Sequence, residues 1–285
     1  MTTIGCAPGL STHARPIPIS ALAPPSAPAL APAPAPALAP APALSSPADD
    51  HEDEPALIDE PSADAPPALS PAGLGSIPRA TQYASLERVA CEAELTKRKI
   101  PFERVGEARG VVAPLRLRGP IAGVEFRSML PLAQRRTSPY EIYDCRLVLA
   151  LDDWARILAR HDVVEVVHYS VYRPPPTKQV LSGPGRRHSG ALAIDAAIFK
   201  TRDGKTMNVE KDFHGRIGGK PCAGVSGSAT KTAGLPAEAL TLREIVCEAA
   251  EAQLFNVMLT PDYNWPHRNH FHLEVTAGAR WVLVR

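Results

Sequence analysis

The sequence predicts an α+β domain over residues 80–285, in which helices flank an antiparallel sheet, preceded by a disordered tail over residues 1–79. Two observations lead to this prediction. Of the 31 prolines, 18 lie before residue 80, and residues 21–47 are almost wholly Ala, Pro, Leu and Ser, without a strand or helix period. Beyond residue 80, strand and helix patterns are mixed and joined by hairpin-like connections, which is typical of an antiparallel α+β arrangement.

Charge divides the chain in the same way. Eight acidic residues lie between positions 49 and 64, whereas Arg15 and Arg79 are the only Lys or Arg residues before position 80. The acidic run is expected to be solvated and disordered. The remaining part is mildly basic, which suits an anionic partner such as the cell wall, or simply gives a solvated surface. No basic-aromatic pattern indicates nucleic-acid binding, and no apolar run predicts a transmembrane helix.

The residues around Cys6 look like the end of a bacterial lipoprotein signal that lacks its basic and apolar regions. If the true start lies upstream, Cys6 would carry a lipid anchor. The alternative is an ordinary free cysteine in a disordered tail.

Three helices are predicted in the domain, over residues 85–99, 147–160 and 241–254. The last would open with a capping box at Thr241 and Glu244. Strands or short strand segments are predicted over 111–126, 163–172, 191–200, 206–209, 256–259 and 270–275, with a hairpin turn at Asp203-Gly204. Residues 174–185 and 215–234 are predicted as loops, and the second could form a lid or one wall of a groove.

The domain contains four cysteines, Cys91, Cys145, Cys222 and Cys247, without a Cys-x-x-Cys spacing. An exported protein would form two disulfides from them, whereas a cytosolic one would keep four free thiols. Three pairings are possible. We favour Cys91–Cys145 and Cys222–Cys247, because the first two lie near the starts of early helices and Cys222 lies in the loop that leads to the helix holding Cys247.

Histidines gather near the end of the chain, in the hexapeptide from His267 to His272. On a strand, His270, His272 and Glu274 would share one face, because side chains alternate with a period of two. The opposite face would present Phe271, Leu273 and Val275 to the core. The imidazoles would then face a cleft, unless this is an exposed edge strand with incidental histidines.

A second group surrounds Asp195 in the predicted strand 191–200, with His188 just before it. The face of Asp195 would carry Ala191, Ala193 and Ala197, which leave room for a metal and a substrate. A carboxylate among small apolar neighbours is costly unless it is paired or bound to a metal. Two imidazoles, one carboxylate and an open fourth position are typical of catalytic zinc.

The spacing from His188 to Asp195, followed by His270-x-His272, resembles the motif pair of the lysostaphin, D-Ala-D-Ala metallopeptidase and murein endopeptidase superfamily. The ending His267-x-x-His270-x-His272 is similar to penicillin-insensitive murein endopeptidases and to the bacterial extensin-like C-terminal domain family. The latter is favoured by Tyr143-Asp-Cys145-Arg, by Tyr172-Arg173 and by the segment from Pro266 to Glu274. This resemblance covers residues 80–276.

The resemblance implies specific roles. His188, Asp195 and His272 match zinc ligands, and His270 matches a base or transition-state stabiliser beside the metal. Arg173 matches an arginine that binds a substrate carboxylate or carbonyl oxygen, with a surface ion pair as the alternative. His267 would be an auxiliary residue near the metal or a loop histidine. Cys145 and its partners match disulfide cysteines, while His161, His168 and His214 are read as structural.

Two positions depart from the family pattern. Ala191 stands where relatives often have Gly, and Asn269 stands where they often have Asp or Glu. An amide cannot accept a proton as a general base. The sequence therefore predicts a zinc-dependent peptidase acting on peptidoglycan stem or cross-link peptides in the periplasm or as an outer-membrane lipoprotein. The rival is a non-catalytic zinc protein that binds the wall or supports its structure.

Overall fold

The computed structural model describes residues 77–175, 187–223 and 234–285. The expectations for the Pro/Ala-rich tail, the acidic run and Cys6 lie outside the described residues, as do most of the predicted loop 174–185 and half of the loop 215–234. Within the described part of the chain, no helix is long and apolar enough to cross a membrane.

Ten strands form two sheets within these residues. They are β1 (Phe102–Arg104), β2 (Pro114–Leu117), β3 (Glu125–Ser128), β4 (Tyr143–Asp144), β5 (Val163–His168), β6 (Ala193–Thr201), β7 (Thr206–Asn208), β8 (Val257–Leu259), β9 (Phe271–Glu274) and β10 (Leu283–Val284). The small sheet has the order β1-β2-β4. The large sheet has the order β10-β8-β9-β6-β5-β3, and β7 also pairs with β6.

The prediction of an antiparallel sheet is correct for the small sheet and for the centre of the large sheet. The pairs β5–β6, β6–β7, β6–β9 and β8–β9 are antiparallel, but β3 pairs with β5 and β10 pairs with β8 in parallel. Parallel strands need a long crossover, and a helix lies between β3 and β5 in the chain. The large sheet is mixed because some of its strands are joined by long crossovers rather than by hairpins.

In the described part of the chain, six α-helices accompany the sheets. They are α1 (Arg79–Ala84), α2 (Arg88–Lys97), α3 (Leu132–Arg135), α4 (Cys145–Arg160), α5 (Val209–Asp212) and α6 (Ala237–Glu251). Short 3₁₀ helices span Pro139–Glu141, Arg187–Gly190 and Trp265–His267. The three predicted helices correspond to α2, α4 and α6.

The predicted start of the last helix is wrong. Helix α6 begins at Ala237, one turn before Thr241, and Pro236 occupies its N-cap position. The Thr241 hydroxyl donates to the Ala237 carbonyl at 3.0 Å instead of capping the helix. A threonine can satisfy its hydroxyl in this way inside a helix, so the capping-box pattern alone did not fix the boundary.

The core lies between α4 and one face of the large sheet. Trp154 of α4 is fully buried, with ring centroids at 6.1 Å from Phe126, 5.9 Å from Phe199 and 5.8 Å from Phe255. Strand β9 adds Phe271 and Leu273, which are also buried. Because side chains alternate along a strand, the residues of β9 that lie between these apolar ones point to the opposite face of the sheet.

Two disulfides join the cysteines as favoured from the sequence. Cys91–Cys145 links α2 to the first residue of α4, and Cys222–Cys247 links the segment before residue 224 to α6. Closing loops of 54 and 25 residues restricts the unfolded chain, worth about 3 to 4 kcal/mol each in the chain-entropy account.

Candidate metal centre

The register between β6 and β9 sets Asp195 directly opposite His272. Opposite residues on neighbouring antiparallel strands lie on the same face of a sheet. The adjacent pair in the register, Ile194 and Leu273, therefore belongs to the other face and is buried in the core. This confirms the predicted division for β9 and for β6 up to Ala196. A register shift beyond Ala196 then brings Phe199, rather than Ile198, into the core beside Trp154.

Three candidate ligand atoms converge above this face. His188 Nε2 lies 3.1 Å from Asp195 Oδ1 and 3.2 Å from His272 Nδ1, and the last two atoms are 3.1 Å apart. Of the described residues, these three form the set whose donor atoms could hold one metal ion, and all three side chains are buried. The atoms form a nearly equilateral triangle.

His188 lies in the 3₁₀ helix Arg187–Gly190, just before β6. Its Nδ1–H donates to the Val171 carbonyl at 2.7 Å, which leaves the lone pair of Nε2 directed at the cluster. Ala191, which follows this helix, has a φ of 53°, the left-handed conformation that glycine favours. The strand predicted to begin at Ala191 therefore begins at Ala193, and the chain turns between the two ligands.

His272 is held by a second carboxylate, which the sequence analysis did not identify as part of the site. Its Nε2 lies 3.3 Å from Glu274 Oε2, so Nε2–H donates to Glu274 while Nδ1 faces the cluster. Glu274 also accepts from Thr276 Oγ1 at 2.7 Å and pairs with Arg187 at 3.2 Å. A carboxylate behind a ligating histidine is a recurrent feature of metal sites.

The signal for Glu274 was available in the sequence, because Glu274 follows His272 by two residues and so shares its face of the strand.

Burial alone would lower the pKa of His272, but hydrogen bonds to Asp195 and Glu274 raise it to about 9. The two carboxylates thus favour a positive charge in the cluster. This is the electrostatic environment expected where a cation binds between Asp195 and the imidazoles.

Asp195 is held through its second oxygen. Oδ2 accepts from Ser170 Oγ at 3.1 Å and from Arg173 Nη2, while Arg173 Nε donates to Ser170 at 3.0 Å. Burial would raise the pKa of Asp195, but the charges of His188 and Arg173 hold it well below the usual range. Arg173 therefore orients the carboxylate, and 47% of its side chain remains exposed.

Strand β5 ends at His168 and is therefore shorter than the predicted segment 163–172. A register shift follows Val167, after which the Tyr169 amide donates to the Asp195 carbonyl and the Asp195 amide donates to the Ser170 carbonyl. This irregularity ends regular pairing with β6 and brings Ser170 beside the Asp195 carboxylate.

His270 lies at the edge of the triangle. Its Nε2 is 3.5 Å from Asp195 Oδ1, and its Nδ1–H donates to Asn269 Oδ1 at 2.8 Å. This hydrogen bond fixes the tautomer in which Nε2 carries the lone pair. Burial lowers the pKa of His270 to about 4. Asn269, the departure from the family pattern, thus orients His270.

His267 lies behind His270 and His272, at ring-centroid distances of 5.2 and 5.8 Å. Its Nδ1–H donates to Asn264 Oδ1 at 2.6 Å, and burial lowers its pKa to about 3. His267 is buried and contacts the cluster through its ring. Asn264, which caps the 3₁₀ helix Trp265–His267, is a further residue that the sequence analysis did not identify.

Residues 89–285 match the family model described as extensin-like protein C-terminus. This match covers both strands of the candidate centre and all four disulfide cysteines. No curated protein and no solved structure matches the chain.

Proposed function

The chain belongs to the extensin-like protein C-terminus family, and on this premise we propose that it is a zinc-dependent peptidase acting on peptidoglycan stem or cross-link peptides. The observation that carries the proposal is the triangle of donor atoms from His188, Asp195 and His272, with edges of 3.1 to 3.2 Å. Ligand atoms around tetrahedral zinc lie about 3.3 Å apart, given bonds of about 2.0 to 2.1 Å.

The donor set also fits zinc chemically. Two imidazole nitrogens and one carboxylate oxygen are ligands that zinc accepts, and three protein ligands leave a fourth position for water or substrate. Zinc in such a site polarises a carbonyl and makes water a nucleophile near neutral pH. Glu274 and the Val171 carbonyl would hold the two histidines in the required orientation.

His270 is the proposed general base. Its unprotonated Nε2 is directed at the centre but lies outside the set of three ligands. In the proposed reaction, Nε2 takes a proton from the attacking water and delivers it to the nitrogen of the departing amine. Asn269 keeps Nδ1 protonated during this transfer, so it acts through His270.

Arg173 is the proposed substrate-binding group. Its Nε and Nη2 are engaged by Ser170 and Asp195, while about half of the side chain is exposed. The remaining guanidinium nitrogen could bind a carboxylate or carbonyl oxygen of a peptide stem. Arg173 would therefore contact both the substrate and Asp195, and so fix the distance between them.

Two features support peptidoglycan peptides as the substrate class and the cell envelope as the location. The paired motifs resemble those of murein endopeptidases, and two disulfides are typical of exported proteins. A non-catalytic zinc protein that binds the wall is the second candidate. It is favoured by one observation, the amide of Asn269 where related peptidases carry a carboxylate.

Hydrolysis of purified muropeptides by the full chain separates the two candidates. We expect cleavage that a chelator stops and added zinc restores. His270→Ala should lower turnover by about 100-fold or more while zinc stays bound. Asn269→Asp should preserve or raise turnover, because a carboxylate accepts the same Nδ1–H. If wild type cleaves no muropeptide and Asn269→Asp does, the non-catalytic candidate is correct.

A further inference from the structure

An open cleft of about 600 Å³ lies away from the candidate metal centre, lined by residues of β1, β2, β3 and α3. This volume is typical of sites that bind small molecules. The lining shares no residue with the centre or with the groups that orient it. It contains three glutamates and six arginines, which are Arg104, Arg116, Arg118, Arg127, Arg135 and Arg136.

Most of the arginines that line the cleft are already paired. Four of the arginines form ion pairs, namely Arg104–Glu92, Arg118–Glu103, Arg127–Glu165 and Arg135–Glu125. The third lining glutamate, Glu141, accepts hydrogen bonds from the amide and hydroxyl of Ser128 at 2.8 and 2.7 Å. Within the described ranges, Arg116 and Arg136 have no carboxylate at ion-pair distance. Six arginines against three glutamates give the lining a net positive charge.

Arg116 is the more informative of the two. Its side chain is partly buried, and Nη1 donates to the carbonyls of Ser138 at 2.8 Å and Arg135 at 3.4 Å. Burial lowers the pKa of Arg116. The buried Nε of the neighbouring Arg135 has no hydrogen-bond partner. Glu141 and Glu103 act on Arg116 electrostatically but lie beyond ion-pair distance, so the partly desolvated guanidinium is incompletely compensated, and a bound anion would reduce that cost.

We infer that this cleft is a binding site for an oxyanion, either a phosphate or a carboxylate group, held by Arg116 and Arg136. The planar guanidinium fork binds both groups through paired, charge-assisted hydrogen bonds. The site is independent of the proposed peptidase activity and stands if that activity is disproved.

Calorimetric titration of the full chain with inorganic pyrophosphate and, separately, with citrate tests the inference. We expect saturable one-to-one binding of at least one probe, weaker at physiological than at low ionic strength. Binding of pyrophosphate alone identifies a phosphate ligand, and binding of citrate alone identifies a carboxylate ligand. Arg116→Gln should weaken binding by about tenfold or more, the effect of losing one charge-assisted hydrogen bond.

Two further variants keep the test decisive. Arg136→Gln changes an exposed side chain, so it should weaken binding without affecting folding. Arg202→Gln removes the same charge from the exposed turn between β6 and β7, outside the cleft, and should leave binding unchanged. The absence of saturable binding to both probes, or equal weakening by Arg202→Gln, would overturn the inference.

Discussion

Asp195 and His272 face each other across β6 and β9, and Asp195 Oδ1 lies 3.1 Å from His272 Nδ1. The register between the two strands therefore sets the relative position of two of the three candidate ligands. A slip of one residue would turn a strand's candidate ligand toward the core. The pairing that buries Ile194 and Leu273 on one face therefore also assembles the candidate centre on the other.

Glu274 should be the most important residue for metal affinity outside the three ligands. Glu274→Gln removes the carboxylate that accepts from His272 Nε2, and we expect zinc affinity to fall by about 10- to 100-fold. Competition with a chromophoric chelator measures this affinity. Glu210→Gln, on the short helix α5, is the matched control and should leave affinity unchanged. Equal affinities for Glu274→Gln and wild type would remove Glu274 from the centre.

Ala191 should tolerate glycine better than other buried alanines. Its φ of 53° costs an L-residue about 1 to 2 kcal/mol, which glycine does not pay. In Ala191→Gly, the relief of this backbone strain offsets two unfavourable effects. These are the loss of a buried methyl group and the greater entropy of glycine in the unfolded chain. Guanidinium unfolding of Ala191→Gly and of Ala196→Gly, a buried strand alanine, gives the comparison.

We expect Ala191→Gly to be more stable than Ala196→Gly by about 1 kcal/mol or more. Equal losses in the free energy of unfolding would show that the left-handed backbone at Ala191 is not a source of strain. A larger loss in Ala191→Gly would also contradict the expectation.

His168 should make the metal-free protein sensitive to acid. The imidazole is fully buried beside Tyr143, whose hydroxyl lies 2.9 Å from Nε2, and burial lowers the pKa of His168 to about 3. The charge of Asp195 opposes this shift, while the charges of His188 and Arg127 add to it. Between pH 6.5 and 3 the unfolded chain therefore binds a proton at His168 that the folded chain does not.

The contribution of His168 to stability is consequently complete above about pH 6.5 and is lost as the pH falls toward 3, with a total on the order of 5 kcal/mol. The free energy of unfolding of chelator-treated wild type and His168→Gln, followed against pH, isolates this contribution. The difference between the two proteins should shrink in acid. A difference that stays constant from pH 7 to pH 4 would exclude His168 as the source.

The sequence predicted the parts of the site that depend on local spacing. Alternation along a strand was sufficient to place His270, His272 and Glu274 together. The disulfide pairing is the one favoured among three that the sequence allowed, although it joins residues 54 and 25 apart. The shared strand face needs only short-range geometry, which residue types and spacing determine directly.

Features that depend on tertiary contacts could not be predicted in the same way. The parallel pairs of β3 with β5 and of β10 with β8 depend on how distant segments return to the sheet. Arg173 and Ser170 both contact the Asp195 carboxylate from a segment that follows a register shift in β5. Asn269 was read as a defect, although its side chain orients His270.

Zinc content measured by elemental analysis tests the central claim most directly. Purified wild type should contain about one zinc ion per chain, and His188→Ala, Asp195→Ala and His272→Ala should each lose it, because a site with two remaining protein ligands binds zinc weakly. His214→Asn, which changes an exposed histidine, should retain it. Near-stoichiometric zinc in all three ligand variants would contradict the assignment of the centre.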